Sequence, residues 1–486
     1  MVNKEKTGLN FIKGDWIECE SKETFENRNP ADFEDLIGYY QYSDKKDVEK
    51  AVKAAKNAQK VWKNITPAER GRSLKSIADR LEKNKEELAE ILTLEEGKTL
   101  DESTGEVQRA IDIFHYYSVK AKELGGSIKS ASEKDKLLYT INEPLGTVGL
   151  ITPWNYPLAI PSWKMAPALA AGNTIVFKPA SLAPESSRKL VEYMEKSNIP
   201  AGVINYVTGP GSTVGKAITT HPDIDAVSFT GSLDVGEEVH ESAARGRKRV
   251  QTEMGGKNPT VVMESAVIDK AVNIVKDGAF GVTGQACTAT SRAIVHEKIY
   301  DDFLSKLIEK VEDIEVGPGL ENPDMGPQVS EKEVEGTLHF IKRGLEEGAI
   351  LETGGNRLDK GNFSEGYFIE PTVFSDVKSD MTIAQKEIFG PVLSVLKVHS
   401  FEEAIKVANS VRYGLSASIV TNDLFEANRF VNEIEAGVVK INEKTTGLEL
   451  HVPFGGLKES SSKTWREQGD AALDFYTISK TVYMNY

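Results

Sequence analysis

TVGLITPWNYP, residues 147–157, opens the stretch of chain that decides the fold. Its first six residues, Thr147–Thr152, are a short apolar run, and similar runs recur at TIVFK (Thr174–Lys178), VINYV (Val203–Val207), AVSFT (Ala226–Thr230) and VQTE (Val250–Glu253). β-Branched residues are frequent in the runs, and enough chain for one crossover helix separates each from the next. That pattern predicts a parallel, doubly wound sheet. Ligands bind such sheets outside the carboxyl ends of the strands, so the residues just after each run carry the chemistry. They are Pro153-Trp154-Asn155, Lys178-Pro179, Gly209-Pro210-Gly211, Gly231-Ser232 and Glu253.

Beyond this stretch the alternation resumes from Pro259 to Asn442, with strands expected at PTVVM, RAIVH, PVLSVLKV, SASIV and GVVKIN. A second α/β domain follows from it, and no repeat of fixed period is present. Before it, residues 44–100 carry a helical period, with Val48, Ala51, Val52 and Ala55 on one face. Thr66-Pro67-Ala68-Glu69 has the form of a capping box with proline at the first helical position and Ile65 as the staple. The charged residues of these helices read as solvated faces. Asp135–Asn142 (DKLLYTIN) and Asp474–Tyr486 (DFYTISKTVYMNY) fit neither sheet; both read as extended, pairing with each other and finishing against another subunit.

At 486 residues the chain has room for two or three domains of about 150 residues each. Its net charge, 59 − 74 = −15, is spread over mixed Lys/Glu faces, which argues against nucleic acid and acidic membrane surfaces as partners. Cys19 and Cys287 lie in dissimilar surroundings and make no disulfide framework. MVNKEKTGLN lacks the apolar run of a leader, and nothing approaches the roughly 18 apolar residues of a membrane span. A cytoplasmic protein is expected.

The chemistry centres on GQACTATSR, Gly284–Arg292, in which small side chains leave space around the Cys287 sulfur. A lone cysteine is more often a packing residue than a nucleophile, so partners must come from elsewhere. Asn155, pinned between Pro153 and Pro157, is either a turn former or a rigid donor for an oxyanion. Glu253, followed by Gly255 and Gly256, is either a surface charge or a general base facing a cleft. The turns Gly209–Gly215 (GPGSTVG) and Gly231–Gly236 (GSLDVG) each join a strand to a helix; each suits a pyrophosphate or is plain turn chemistry, and neither is the usual dinucleotide fingerprint.

Taken together, PWNYP, FKPAS, GS-x-x-x-G, EMGGKNP, GQACTATSR, EIFGPV and PFGGLKES, in that order over nearly the whole chain, resemble the aldehyde dehydrogenase superfamily. Within it the sequence is most similar to bacterial 2,5-dioxopentanoate (α-ketoglutarate semialdehyde) dehydrogenases, through GQACTATSR, GLSASI and Ser460-Ser461-Ser462. The resemblance implies two doubly wound α/β domains, one dinucleotide-binding (residues 1–123 and 143–254) and one catalytic (255–455), with oligomerisation segments at 124–142 and 456–486. It implies oxidation of an aldehyde to a carboxylic acid: Cys287 as nucleophile, Asn155 with the Cys287 amide as oxyanion hole, and Glu253 as the base that brings water to a thioester. No metal is implied.

For the cofactor, NAD or NADP, it implies Trp154 and Gly231, Ser232 and Gly236 at the pyrophosphate, and Lys178 at the adenosine ribose. Gly211 falls on the adenine side, and Glu387 and Phe389 at the nicotinamide ribose. Ser181 stands where NAD-preferring relatives commonly carry a glutamate, so NADP is expected to serve at least as well as NAD. Tyr156, Trp163, Leu448 and Phe454 match positions that line the aldehyde tunnel, and the assembly is expected to be a homodimer or homotetramer. The rival readings are a coenzyme A-acylating enzyme, which Glu253 argues against, and a cofactor-binding structural protein without turnover.

Overall fold

The computed structural model describes residues 7–486, so the first six residues of the N-terminal stretch and of the first expected domain lie outside the described residues. The expected runs form one seven-stranded sheet. Its spatial order is Arg249–Glu253, Ala226–Thr230, Thr147–Ile151, Thr174–Lys178, Ile204–Tyr206, then Asn10–Ile12 and Asp15–Ile17. The strands from 147 to 253 are parallel, whereas the two N-terminal ones close the edge as an antiparallel hairpin. The chain starts at the middle of the sheet, winds one way and then returns to wind the other. The crevice between Thr147–Ile151 and Ala226–Thr230 is therefore a topological switch point, and Trp154, Asn155, Gly231 and Ser232 follow those two strands.

The second sheet also has seven strands, ordered Ile350–Thr353, Thr372–Ser375, Val392–Val398, Thr290–His296, Asn258–Val262, Ser416–Val420 and Val438–Ile441. Only the Ile350–Thr353 edge is antiparallel. Lys136–Pro144 and Thr477–Asn485 pair antiparallel over their full length, with Ile128–Lys129 on the far side.

Three expectations need correction. Asp474–Tyr486 is not extended throughout, because Gly469–Tyr476 is a helix that buries Leu473, Phe475 and Tyr476 in the core of the first sheet; the strand begins only at Thr477. The N-terminal strands, including the Thr24–Asn29 and Asp32–Gln41 hairpin, have no counterpart among the expected elements, since polar residues and a bulged register obscure their alternation. The charged residues of the N-terminal helices are not all solvated: Asp47, Arg70, Glu95, Glu96 and Lys98 are buried. The capping box at Thr66 and Glu69 is present, with Pro67 opening its helix.

Asn173 ties the C-terminal helix to the first sheet. Its Nδ2 donates to Ala168 O (3.2 Å) and Tyr476 O (2.9 Å), and its Oδ1 accepts from Gly146 N (2.9 Å). Substitution Asn173→Ala leaves Gly146 N without an acceptor and takes one donor each from Tyr476 O and Ala168 O, which keep the bonds from Leu145 N (3.3 Å) and Asn173 N (2.9 Å); an unpaired buried group costs about 1–3 kcal/mol. We expect a loss of at least about 2 kcal/mol, read as an earlier denaturant midpoint; an unchanged midpoint would mean that this tether is dispensable.

Candidate active site

Residues 254–257 carry the chain from the last strand of the first sheet, Arg249–Glu253, directly into the strand Asn258–Val262 of the second. No room for side chains exists at this crossing. A Cβ on Gly255 would lie 1.9 Å from a Glu387 carboxylate oxygen, and one on Gly256 would lie 2.9 Å from the Cys287 carbonyl. The carboxyl ends of the first sheet thus face the segment that precedes Thr290–His296. Cys287 stands before its strand, not after it, so the rule that serves the first sheet does not find it.

The loop bearing Cys287 is held in an unfavourable backbone. Val282, Thr283 and Gly284 have φ of 52°, 57° and 67°, and for the two β-branched residues this costs about 1–3 kcal/mol each. The surroundings impose it. Val282 N donates to Glu102 Oε1 (2.6 Å), Thr283 Oγ1 to Gly326 O (3.0 Å), and Val329 N to Gln285 Oε1 (3.0 Å). Gly284 is required, because a Cβ there would meet Gly390 O at 2.3 Å.

Asn155 Nδ2 donates to Gln285 O (2.8 Å), which fixes the amide beside the cysteine loop and leaves its second N–H for another acceptor. The backbone N–H of Cys287 faces its own sulfur. Burial, with Glu387, Glu253 and Glu467 acting in the same sense, pushes the Cys287 thiol up to about 12, so at neutral pH it is protonated. Cys287 borders a cavity of about 310 Å³ whose wall includes Tyr156, Trp163 and Leu448. Phe454 is not part of that wall. It is buried behind it, its ring 6.1 Å from that of Trp163.

Glu253 does not face this cavity either. Its Oε2 accepts from Gly456 N (2.9 Å), while Oε1 is buried without a partner. Burial and the nearby Glu467 hold its carboxyl well above the ordinary carboxylate range. Glu387 accepts from Gly256 N (2.9 Å) and is raised by burial to about 7. Phe389 has φ 58° and sets its ring edge-on to Trp154 at 5.4 Å.

Around the switch point, Lys178 is buried; its Nζ donates to Pro179 O (2.8 Å), and burial lowers it to about 8. Among the described residues no carboxylate pairs with it, and Thr152 Oγ1 and Thr230 Oγ1 are also buried without partners. Gly211 faces open space, and Ser232 begins the Leu233–Arg245 helix with no side-chain cap. Unspent donors at a crevice and an uncapped helix end suit the hydroxyls and phosphates of a dinucleotide. Ser181 Oγ donates to Gly209 O (3.1 Å), joining the two loops beside Lys178. Gly231 and Gly236 have packing reasons of their own: a Cβ would strike the Phe229 ring at 2.5 Å and Met254 sulfur at 2.3 Å, respectively.

Several participants are absent from the sequence-based set. Buried Lys98 donates to Glu106 Oε2 and to Asn155 O (both 2.7 Å) and lies 4.2 Å from the Tyr156 ring centroid, so it fixes the Asn155 loop from behind. Glu106 Oε1 in turn accepts from Leu158 N (2.9 Å) and Ala159 N (3.0 Å). Lys257 is buried with its Nζ unpaired, lowered to about 7 by burial. The only sequence signal was the spacing of Glu102, Glu106 and Arg109 on one face of the Leu100–Lys120 helix. Among the described residues no group of three or more His, Cys, Asp or Glu is arranged to hold a metal, and no helix is long and apolar enough to cross a membrane.

The model of the aldehyde dehydrogenase family matches residues 16–482. An α-ketoglutarate semialdehyde dehydrogenase of Haloferax volcanii is 56% identical over 477 residues, covering 98% of this chain and 99% of that protein. A 2,5-dioxopentanoate dehydrogenase of Saccharolobus solfataricus is 44% identical, covering 96% and 97%. Among solved structures, betaine aldehyde dehydrogenase of Staphylococcus aureus in complex with NAD+ superposes with a TM-score of 0.96 at 35% identity, over 99% of this chain and 95% of that one.

The buried, protonated thiol sets how Cys287 responds to alkylation. Below its pKa the thiolate fraction of Cys287 rises tenfold per pH unit, so alkylation by iodoacetamide should be slow at about pH 7 and climb without a plateau to about pH 10. Peptide mass mapping of the labelled cysteine checks it; a plateau near pH 8 would show a thiolate that the resting structure does not favour.

Proposed function

Because the chain belongs to the aldehyde dehydrogenase family, we propose that Cys287, Asn155 and Glu253 are the residues with which it oxidises aldehydes to carboxylic acids. The observation that carries this reading is the Asn155–Gln285 hydrogen bond, which brings a rigid amide to the cysteine loop at the end of the cavity. Cys287 Sγ adds to the aldehyde carbon as its proton passes to solvent water, and the Asn155 amide and Cys287 N–H receive the charge that develops on oxygen. Trp154, Lys178, Ser232, Glu387 and Phe389 hold the dinucleotide, which supplies the acceptor for the two electrons and proton lost by the substrate carbon. What remains on the chain is a thioester at Cys287.

Glu253 then swings from the Gly456 amide, which its unpartnered Oε1 makes less costly, and takes a proton from water. The water oxygen bonds to the acyl carbon, the C–S bond breaks, and the acid leaves as the Cys287 thiolate takes the proton that Glu253 had received from water. A raised carboxyl suits such a part only after it has been deprotonated, so turnover should increase with pH across neutrality. The first substrate class is an aldehyde bearing a carboxylate, 2,5-dioxopentanoate in particular, on the strength of the names of the two relatives above. A homodimer or homotetramer is supported by the strand Thr477–Asn485, whose outer edge is unpaired among the described residues and whose Ile478, Tyr483 and Met484 are exposed. Two free cysteines agree with a reducing, cytoplasmic setting.

The experiment is rapid mixing with aldehyde and dinucleotide, without coenzyme A. Cys287→Ala should lose at least about a thousandfold in turnover while still binding dinucleotide. Glu253→Gln should keep a burst of reduced cofactor and lose steady-state rate; loss of the burst with normal hydrolysis would reverse the two roles.

Cofactor choice turns on Ser181, a neutral hydroxyl bonded to Gly209 O beside the buried Lys178 cation. NADP should be used at least as efficiently as NAD. Ser181→Glu, which places a negative charge there, should shift the ratio of specificity constants toward NAD by about tenfold or more. An unchanged ratio would remove Ser181 from the ribose site.

A further inference from the structure

Two cations without an ion pair among the described residues border the cavity that ends at Cys287, Lys444 exposed at its rim and the half-buried Arg109. Arg109 lies on the Leu100–Lys120 helix at i+7 from Glu102 and i+3 from Glu106, and all three border the cavity. Glu102 reaches the cysteine loop through Val282 N, and seven residues of helix place Arg109 about 10 Å farther along the axis. It therefore stands away from the reacting sulfur, in the part of the cavity that the remote end of a substrate would occupy.

The carboxylates of the cavity wall are spent. Glu102 accepts from Val282 N (2.6 Å) and Thr99 N (3.0 Å); Glu106 accepts from Lys98, Leu158 N and Ala159 N; Asp277 lies 3.3 Å from the Lys276 ammonium. None of these carboxylates bonds Arg109; the exposed carboxylates of Glu449 and Asp112 lie close enough to favour its charge but form no ion pair with it, and its one side-chain bond among the described residues goes to the neutral amide of Gln468 (Nη2 to Oε1, 2.8 Å). Gln468 is itself fixed, with Gly469 N donating to Leu450 O (3.0 Å) just beyond Leu448 of the cavity wall. The guanidinium is half-buried and oriented, and most of its five N–H donors are uncommitted. Such a group binds a planar carboxylate through parallel hydrogen bonds, more strongly than a neutral partner. The remaining basic residue of the cavity, Lys444, is exposed at its rim.

We propose that Arg109 is the specificity residue of this enzyme, taking the carboxylate of an aldehyde acid whose aldehyde carbon lies at Cys287. The inference rests on the aldehyde-acid reading above and names the group that enforces it. Aldehydes without a carboxylate fill the same apolar wall of Tyr156, Trp163 and Leu448 but leave the guanidinium unpaired.

The test compares 2,5-dioxopentanoate with pentanal in the full-length wild type, Arg109→Gln and Arg109→Lys. Arg109→Gln keeps a polar partner for Gln468, and should lower the ratio of specificity constants, acid over pentanal, by about ten- to hundredfold, mainly through KM for the acid. Arg109→Lys, which keeps the charge and loses the fork, should recover part of it. 2-Oxoglutarate should compete with pentanal in the wild type and lose at least tenfold in inhibition in Arg109→Gln. A wild type that does not prefer the acid overturns the substrate reading and this inference together. A wild type that prefers it, with an Arg109→Gln variant that keeps the preference or loses both substrates equally, overturns the role of Arg109 alone. Should Arg109→Gln fail to fold, Arg109→Lys decides: an undiminished ratio together with absent 2-oxoglutarate competition in the wild type rejects the proposal.

Discussion

The crossing at residues 254–257 constrains everything around it. Two sheets built on separate cores meet there with no space for a Cβ at Gly255 or Gly256, so the strand ends of one come within contact of the loops that begin strands of the other. Glu387, which belongs to the second half of the chain, is held by the Gly256 amide, and Cys287 is brought against the same turn through Asn258, whose Nδ2 donates to Cys287 O (2.8 Å). Without that approach Asn155 of one half and Cys287 of the other would be separate features. The arrangement around the cysteine is thus a property of the junction and of neither sheet alone.

Buried charge stabilises the geometry on the other side of the site. Lys98, Glu106 and the Asn155 carbonyl form a network inside the protein, with Lys164 and Glu467 pairing nearby. Burying ions is costly, and apolar replacements of the same size are often as stable. What such a network provides is direction: each member has few other partners, so the Asn155 loop has one position. The strained φ values at Val282 and Thr283 serve the same end, since their cost is tolerable only while Glu102 and Gly326 hold the loop.

Much of this was legible in the sequence because period and punctuation are local. The runs from Thr147 to Glu253 announce their parallel sheet, and the residues after Thr147–Ile151 and Ala226–Thr230 do gather at a switch point. The motif likeness pointed to Cys287 and Asn155, which the structure brings together through Gln285. Other features were hidden for physical reasons. Cys287 precedes its strand, so it needs the second sheet to be placed; Glu253 has a rotamer turned to Gly456, which no sequence pattern specifies. Lys98, Glu106 and Arg109 look like ordinary helix charges until tertiary packing closes over them. The N-terminal hairpins fail as patterns because their alternation is broken by bulges.

The helix Gly469–Tyr476 has a consequence for the order in which the chain acquires its shape. Leu473, Phe475 and Tyr476 belong to the core of the first sheet, and Asn173 waits for the Tyr476 carbonyl. A ribosome delivers these residues, at about 5–20 residues per second, only after the entire second sheet has emerged. For tens of seconds the nascent first sheet therefore presents an incomplete apolar face, and a stop codon placed before Gly469 leaves it permanently open. The interval falls within the reach of chaperones that bind exposed apolar chain, and it makes a helix that follows the second sheet in the chain the element that finishes the first.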